Sequence, residues 1–84
     1  MRRETPEELQ QRIADADRKL PQGRFIRHVK SGGEYLVCGH TLRESDLETL
    51  VIYSPKFEPA FSFARPLQEV IAKFVLSDGE QWTE

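Results

Sequence analysis

The chain is poor in the features that most often announce a function. Its 84 residues include one cysteine, one methionine and one tryptophan, and no apolar run exceeds four residues. With Cys38 alone, no internal disulfide can form, which suits a reducing compartment. One cysteine and two histidines, His28 and His40, lack the paired spacing of a metal site, so neither a metal nor a cofactor is expected. Apolar runs this short fall far below the roughly 18–20 residues of a membrane span. The opening Met1-Arg2-Arg3-Glu4 leads into polar sequence instead of a secretory apolar segment, so a cytoplasmic protein without membrane attachment is expected. There are no internal repeats and no low-complexity tract. Charge of one sign is also lacking: 12 Lys and Arg stand against 14 Asp and Glu, for a net charge of −2. That balance argues against a dedicated nucleic-acid binder.

What is present is enough for one small domain. A chain of this length buries only about 60–65% of its unfolded surface. Five Phe, two Tyr and one Trp nevertheless supply large side chains for a modest core. The charge is unevenly spread. Residues 1–20 are neutral, residues 21–43 carry +3, and residues 44–84 carry −5. The middle segment therefore has a local basic character, and the second half is acidic.

Thr5-Pro6-Glu7-Glu8 reads as a helix start. Thr5 is the cap, Pro6 sits where its missing N–H is harmless, and Glu8 can return a bond to the cap backbone. Leu9, Ile13, Ala16 and Leu20 recur at helical spacing in one narrow stripe, and Pro21-Gln22-Gly23 ends the helix. Residues 1–22 are thus expected as an amphipathic helix. Its stripe should pack on the rest of the chain or, alternatively, against a second copy or a partner.

From Gly23 the period becomes that of strands, and residues 23–84 are expected to form a β domain. Arg24–Lys30 and Tyr35–Gly39 read as a hairpin about Ser31-Gly32-Gly33-Glu34. That turn joins two strands, so it lacks the helix N-terminus of a phosphate-binding loop. A polar connection, Arg43–Asp46, leads to the strand Leu50–Tyr53, halted by Pro55. Four consecutive apolar residues there imply cover on both faces, one from the sheet interior and the other from the N-terminal helix. Phe61–Pro66 suggests a short strand, and Leu67, Val70, Ile71 and Phe74 a short helix. A last strand, a Ser77-Asp78-Gly79 turn and a return to Trp82 follow. The expected class is mainly β (α+β): a small SH3-like bent antiparallel sheet or barrel with an added N-terminal helix.

The order His28-x-Lys30, Gly33-x-Tyr35-x-Val37-x-Gly39, Leu47-Glu48, Val51-x-Tyr53, Arg65-Pro66-Leu67 and Asp78-Gly79 resembles a small bacterial and phage family of unknown function, numbered 1653. The resemblance covers residues 23–82 and implies an SH3-type fold. It carries over to His28, Tyr35, Gly39, Glu48, Tyr53, Arg65 and Pro66. The chain departs from the family pattern where His-Ser-Glu-Thr is replaced by Arg43-Glu44-Ser45-Asp46 and where Phe63 stands for a tryptophan. The family has no established activity, so the resemblance implies a fold and no reaction.

Cys38 and His40, two apart on a strand, would lie side by side, but no orienting third group or oxyanion site accompanies them. The cluster Arg43–Glu48 reads as a solvated turn whose polar groups satisfy its own backbone. Arg65, beside Tyr53 and Glu48, suits either an internal bond to Glu48 or a forked contact with an anion from a partner. Arg24, Arg27, His28 and Lys30, with Phe25 or Tyr35, suit single-stranded nucleic acid. The expected function is a non-enzymatic protein-binding or adaptor module whose binding residues are Arg65, Tyr53, Glu48, His28, Lys30, Tyr35 and Arg27. One concrete form docks its acidic second half on a basic, nucleic-acid-handling protein. The alternative is a small barrel binding single-stranded nucleic acid through the basic first strand. A monomer, or a homodimer through the N-terminal helix, is expected.

Overall fold

The computed structural model describes residues 4–58 and 60–77. Its elements run α1 (Pro6–Lys19), β1 (Phe25–His28), β2 (Glu34–Leu42), β3 (Thr49–Pro55), β4 (Phe63–Pro66), α2 (Leu67–Lys73) and β5 (Phe74–Leu76). The helix start is the expected capping box. The Glu8 N–H donates to Thr5 Oγ1 at 3.1 Å, and the Thr5 N–H donates to Glu8 Oε1 at 3.0 Å. Two of the orphan donors of the first turn are thereby satisfied. Acidic Glu7 and Glu8 at this end, with basic Arg18 and Lys19 at the other, oppose the helix dipole.

The five strands form one open antiparallel sheet in the order β4-β3-β2-β1-β5. Its two edge strands are joined by α2 alone, with no linker residue on either side. A seven-residue helix rises only about 10 Å. The edges of a flat five-stranded sheet would lie about 19 Å apart. The sheet must therefore curl, and α2 spans the mouth of the curl.

The concave face holds the core. Ile26, Val37, Val51, Tyr53, Val70, Phe74 and Leu76 are buried there, together with Ala16 and Leu20 of the α1 stripe. This packing differs from the two-sided cover expected for Leu50–Tyr53. Val51 and Tyr53 are buried, whereas Leu50 and Ile52 point the other way and stay half-exposed. The helix lies on the Val51 face. His40, paired with Val51 across the ladder, donates from Nε2 to the Leu20 carbonyl at 2.7 Å, and Arg12 reaches Thr49 on the same face. In so small a domain, α1 closes the open end of the single core because there is no second core for it to cover.

Two boundaries also differ from the sequence reading. β1 ends at His28, because the chain turns back through Gly32, whose N–H donates to the His28 carbonyl at 2.8 Å. Gly32 sits at φ 77°, a conformation that a residue with a Cβ resists. β2 runs on to Leu42, its polar His40 and Thr41 half-buried. Between Val37 and Gly39 its register shifts. This bulge at Cys38 puts its thiol beside Ser54 Oγ, at 2.9 Å, on the face opposite His40. The two side chains expected as neighbours are thus separated by the sheet. The expected turn at Asp78-Gly79 and return to Trp82 lie outside the described residues.

The turn from Arg43 to Glu48 is exposed and self-contained. The Arg43 guanidinium grips Asp46 with two bonds, of 3.1 and 2.9 Å, and Asp46 Oδ1 also accepts the Glu48 N–H at 3.0 Å. These hydrogen bonds, with the Arg43 charge, hold the Asp46 carboxyl down to about 2. Of the polar groups expected to satisfy the backbone of this turn, the Asp46 carboxylate does so.

Candidate functional site

The curl gathers aromatic side chains from four strands. Tyr35 on β2, Tyr53 on β3, Phe63 on β4 and Phe74 on β5 pack ring against ring, with centroids 5.2–6.4 Å apart. The series extends at one end to exposed Phe61, 5.5 Å from Phe63, and at the other to His28, 4.9 Å from Phe74. Tyr53 is nearly sealed, while Phe61 and Phe63 are about half open, at 51% and 46%. The rings thus form a floor that is buried in the middle and bare at the β4 end. Most of these contacts are edge-to-face, the arrangement that ring quadrupoles favour, and the Tyr53–Phe63 pair is tilted at 44°.

Arg65 lies over this floor. Its Nε donates to Tyr53 Oη at 2.7 Å, its Nη1 donates to Glu69 Oε1 at 2.7 Å, and its guanidinium carbon stands 5.7 Å from the Phe74 ring centre. Glu69, in the first turn of α2, also has Lys73 Nζ at 3.6 Å from the same oxygen. Burial pushes the Tyr53 phenol up, against the pull of the Arg65 charge. Desolvation works against the guanidinium, but Tyr53 and Glu69 outweigh it and raise the Arg65 pKa.

Two adjoining hollows share Arg65 as a wall. One, of about 230 Å³, is lined by Tyr35, Tyr53, Phe63, Ala64 and Arg65. The other, of about 520 Å³, is lined by His28, Val29, Lys30, Arg65, Ala72 and Lys73. Together they make a groove with an aromatic end and a cationic end. In the second hollow His28 Nδ1 accepts the Ser31 N–H at 3.2 Å, so the neutral ring carries its proton on Nε2 and keeps a donor there.

Of the seven residues singled out from sequence, five meet in this groove: His28, Lys30, Tyr35, Tyr53 and Arg65. Two do not. Arg27 pairs with Glu34 and Val75 on the convex face of the sheet, since adjacent strand residues point to opposite sides. Glu48 sits in the β2–β3 turn, at the far end of β3 from Tyr53, and its charge acts on Arg43. The internal partner of Arg65 is therefore Glu69 and not Glu48. Sequence reasoning missed Phe63, Glu69 and Lys73. The spacing Glu69-x-x-x-Lys73 was the available signal for the last two, because a four-residue step stacks opposite charges on one side of a helix; Arg65 precedes the helix, in β4, so its bond to Glu69 is not a helical pair.

Elsewhere, Cys38 and His40 cannot act together. Cys38 meets Ser54, while the Nδ1 of His40 is buried without a partner among the described residues. Among the described residues no group of three or more His, Cys, Asp or Glu is placed to hold a metal ion, and no helix is long and apolar enough to cross a membrane. No family model, curated protein or solved structure matches this chain.

Proposed function

We propose that this chain is a non-enzymatic protein-binding module of SH3-like build, related to the family numbered 1653, which takes an extended segment of a partner protein in the groove about Arg65. The strand order, with a short helix carrying the chain from one edge strand to the other, supports the SH3-like part. The observation that carries the binding reading is the groove's division into two ends. Bare aromatic surface at Phe61 and Phe63, with half-buried Tyr35 beside it, adjoins a cluster of cations at Lys30, Arg65 and Lys73. Extended peptides dock on such surfaces by filling aromatic-lined hollows with apolar side chains, while a charged group fixes their direction.

The second reading, a single-stranded nucleic acid, is favoured by the open Phe61 and Phe63 rings beside Arg65, on which bases could stack. Charge distribution weighs against it. A polynucleotide has a phosphate at every residue, whereas the cations here cluster at one end. The basic first strand proposed to bind it is divided between the two sheet faces, with Arg27 on one and His28 on the other.

The test is selection of random 12-residue peptides displayed on phage against the wild-type protein and against Arg65→Ala, with a labelled 12-nucleotide oligo-dT titrated in parallel. Enrichment of related peptides by the wild type, lost with Arg65→Ala, is the expected result. Oligo-dT binding that weakens steeply with salt, without any enriched peptide, would replace the protein reading by the nucleic-acid one.

A further inference from the structure

The cationic end of the groove already holds one carboxylate, that of Glu69, which bridges Arg65 Nη1 at 2.7 Å and Lys73 Nζ at 3.6 Å through a single oxygen. One negative charge does not balance the site. Arg65, Lys73 and Lys30 are three basic side chains, and Lys30 forms no ion pair among the described residues. Donors also remain unused. Arg65 engages only Nε and Nη1, leaving the Nη2 side of its fork without a partner among the described residues, and His28 keeps its Nε2 proton. These groups face a hollow of about 520 Å³, room for a carboxylate-bearing side chain with its backbone.

We propose that this hollow is an anion subsite for an acidic side chain of the partner, with Glu69 as a built-in competitor that holds Arg65 and Lys73 until that side chain arrives. This inference rests on the protein-binding reading and adds the chemistry of the partner: an extended acidic segment, its Asp or Glu beside Lys30, Arg65 and Lys73, and an apolar side chain a few residues away against Tyr35 and Phe63. Charge complementarity points to an acidic partner at this surface, in contrast to the basic partner that the acidic second half of the chain suggested.

The geometry makes the role of Glu69 distinctive. A carboxylate remote from the subsite would leave ligand affinity unchanged when neutralised. A competitor would raise it, because Arg65 is also anchored by Tyr53 Oη and keeps its place when Glu69 lets go. Removal of one like charge from a half-exposed site amounts to about 1.5–5-fold in affinity at low salt.

The experiment uses the peptides enriched by the wild-type protein in the selection above. The leading one is synthesised with a fluorescent label, once as selected and once with every Asp and Glu changed to Asn and Gln. Both are titrated at about 50 mM and 500 mM salt against the wild type, Glu69→Gln and the double variant Lys30→Ala/Lys73→Ala, each checked for the wild-type circular dichroism spectrum. The expected results are acidic residues at a fixed offset from an apolar one in the enriched set, and about 1.5–5-fold tighter binding of the acidic peptide by Glu69→Gln at low salt. The gain should fade at high salt, and the double variant should bind several-fold more weakly. Equal affinity of wild type for the acidic and amidated peptides, enriched peptides without acidic residues, or no effect of Glu69→Gln would overturn the anion subsite and leave the protein-binding reading standing. Failure to enrich any peptide would overturn both.

Discussion

The hydroxyl of Tyr53 offers a clean perturbation of the groove. Its ring packs against Tyr35, Phe63 and Phe74, while its oxygen does one separable thing, accepting a 2.7 Å hydrogen bond from Arg65 Nε. Tyr53→Phe keeps the ring and removes the acceptor. A hydrogen bond from a charged donor contributes about 1.5–3 kcal/mol net. Arg65 is about one-third exposed, at 35%, so water can replace part of the loss, and about 1–1.5 kcal/mol is expected. In a domain of this size that lowers the thermal midpoint by about 4–8 °C for each kcal/mol and the urea midpoint by roughly 1 M. A second signature appears at alkaline pH. Because burial raises the folded phenol above its ordinary value of 10.0, its contribution to stability is complete below that pH and is lost as pH rises through the folded value. Wild type should therefore lose stability above pH 10 more steeply than Tyr53→Phe. A variant within about 0.5 kcal/mol of wild type, with the same alkaline profile, would refute the view that Arg65 is anchored through this oxygen.

Three further outcomes test the fold that carries the groove. Leu20→Ala, at a fully buried position where α1 meets the sheet, should cost about 2–5 kcal/mol by urea denaturation, and a loss under about 1 kcal/mol would mean that α1 is no part of the core. Gly23 has φ 93° with no atom within 4 Å of an added Cβ, so Gly23→Ala should cost about 1–2 kcal/mol through the backbone alone, and an unchanged midpoint would contradict the left-handed turn. The Asp46 carboxyl, lowered to about 2, should titrate near that value by NMR. Its contribution to stability is then full above its unfolded value of about 4 and disappears as pH falls towards 2, and Asp46→Asn should lack that loss.

Much of this fold was legible because its signals are local. The Thr5 to Glu8 cap, the Leu9 to Leu20 stripe, the hairpin about Gly32 and the Pro66-Leu67 switch from strand to helix depend on residues within a turn of one another. The placement of α1 was misjudged because Leu50–Tyr53 carries no mark of which neighbour covers which face. The contact that decides it, His40 to the Leu20 carbonyl, joins residues twenty apart. The bulge at Cys38 was equally hidden, since one extra residue in a strand leaves the composition unchanged while reversing every later side chain. In the groove, Arg65, Tyr53, Tyr35, His28 and Lys30 could be picked out by type, but their common site arises from curling of the sheet. Strand alternation alone would have removed Arg27, whereas the bond from Arg65 to Glu69 crosses the Pro66 junction between β4 and α2, and no single periodicity marks it.

Amide chemical-shift mapping of the ¹⁵N-labelled protein with the leading selected peptide would locate recognition in the groove divided by Arg65 or elsewhere. Recognition in the groove gives saturable shifts concentrated at His28–Lys30, Tyr35, Phe63–Arg65 and Ala72–Lys73. Shifts confined to the convex face around Phe25, Lys56 and Phe57, or to α1, would contradict it.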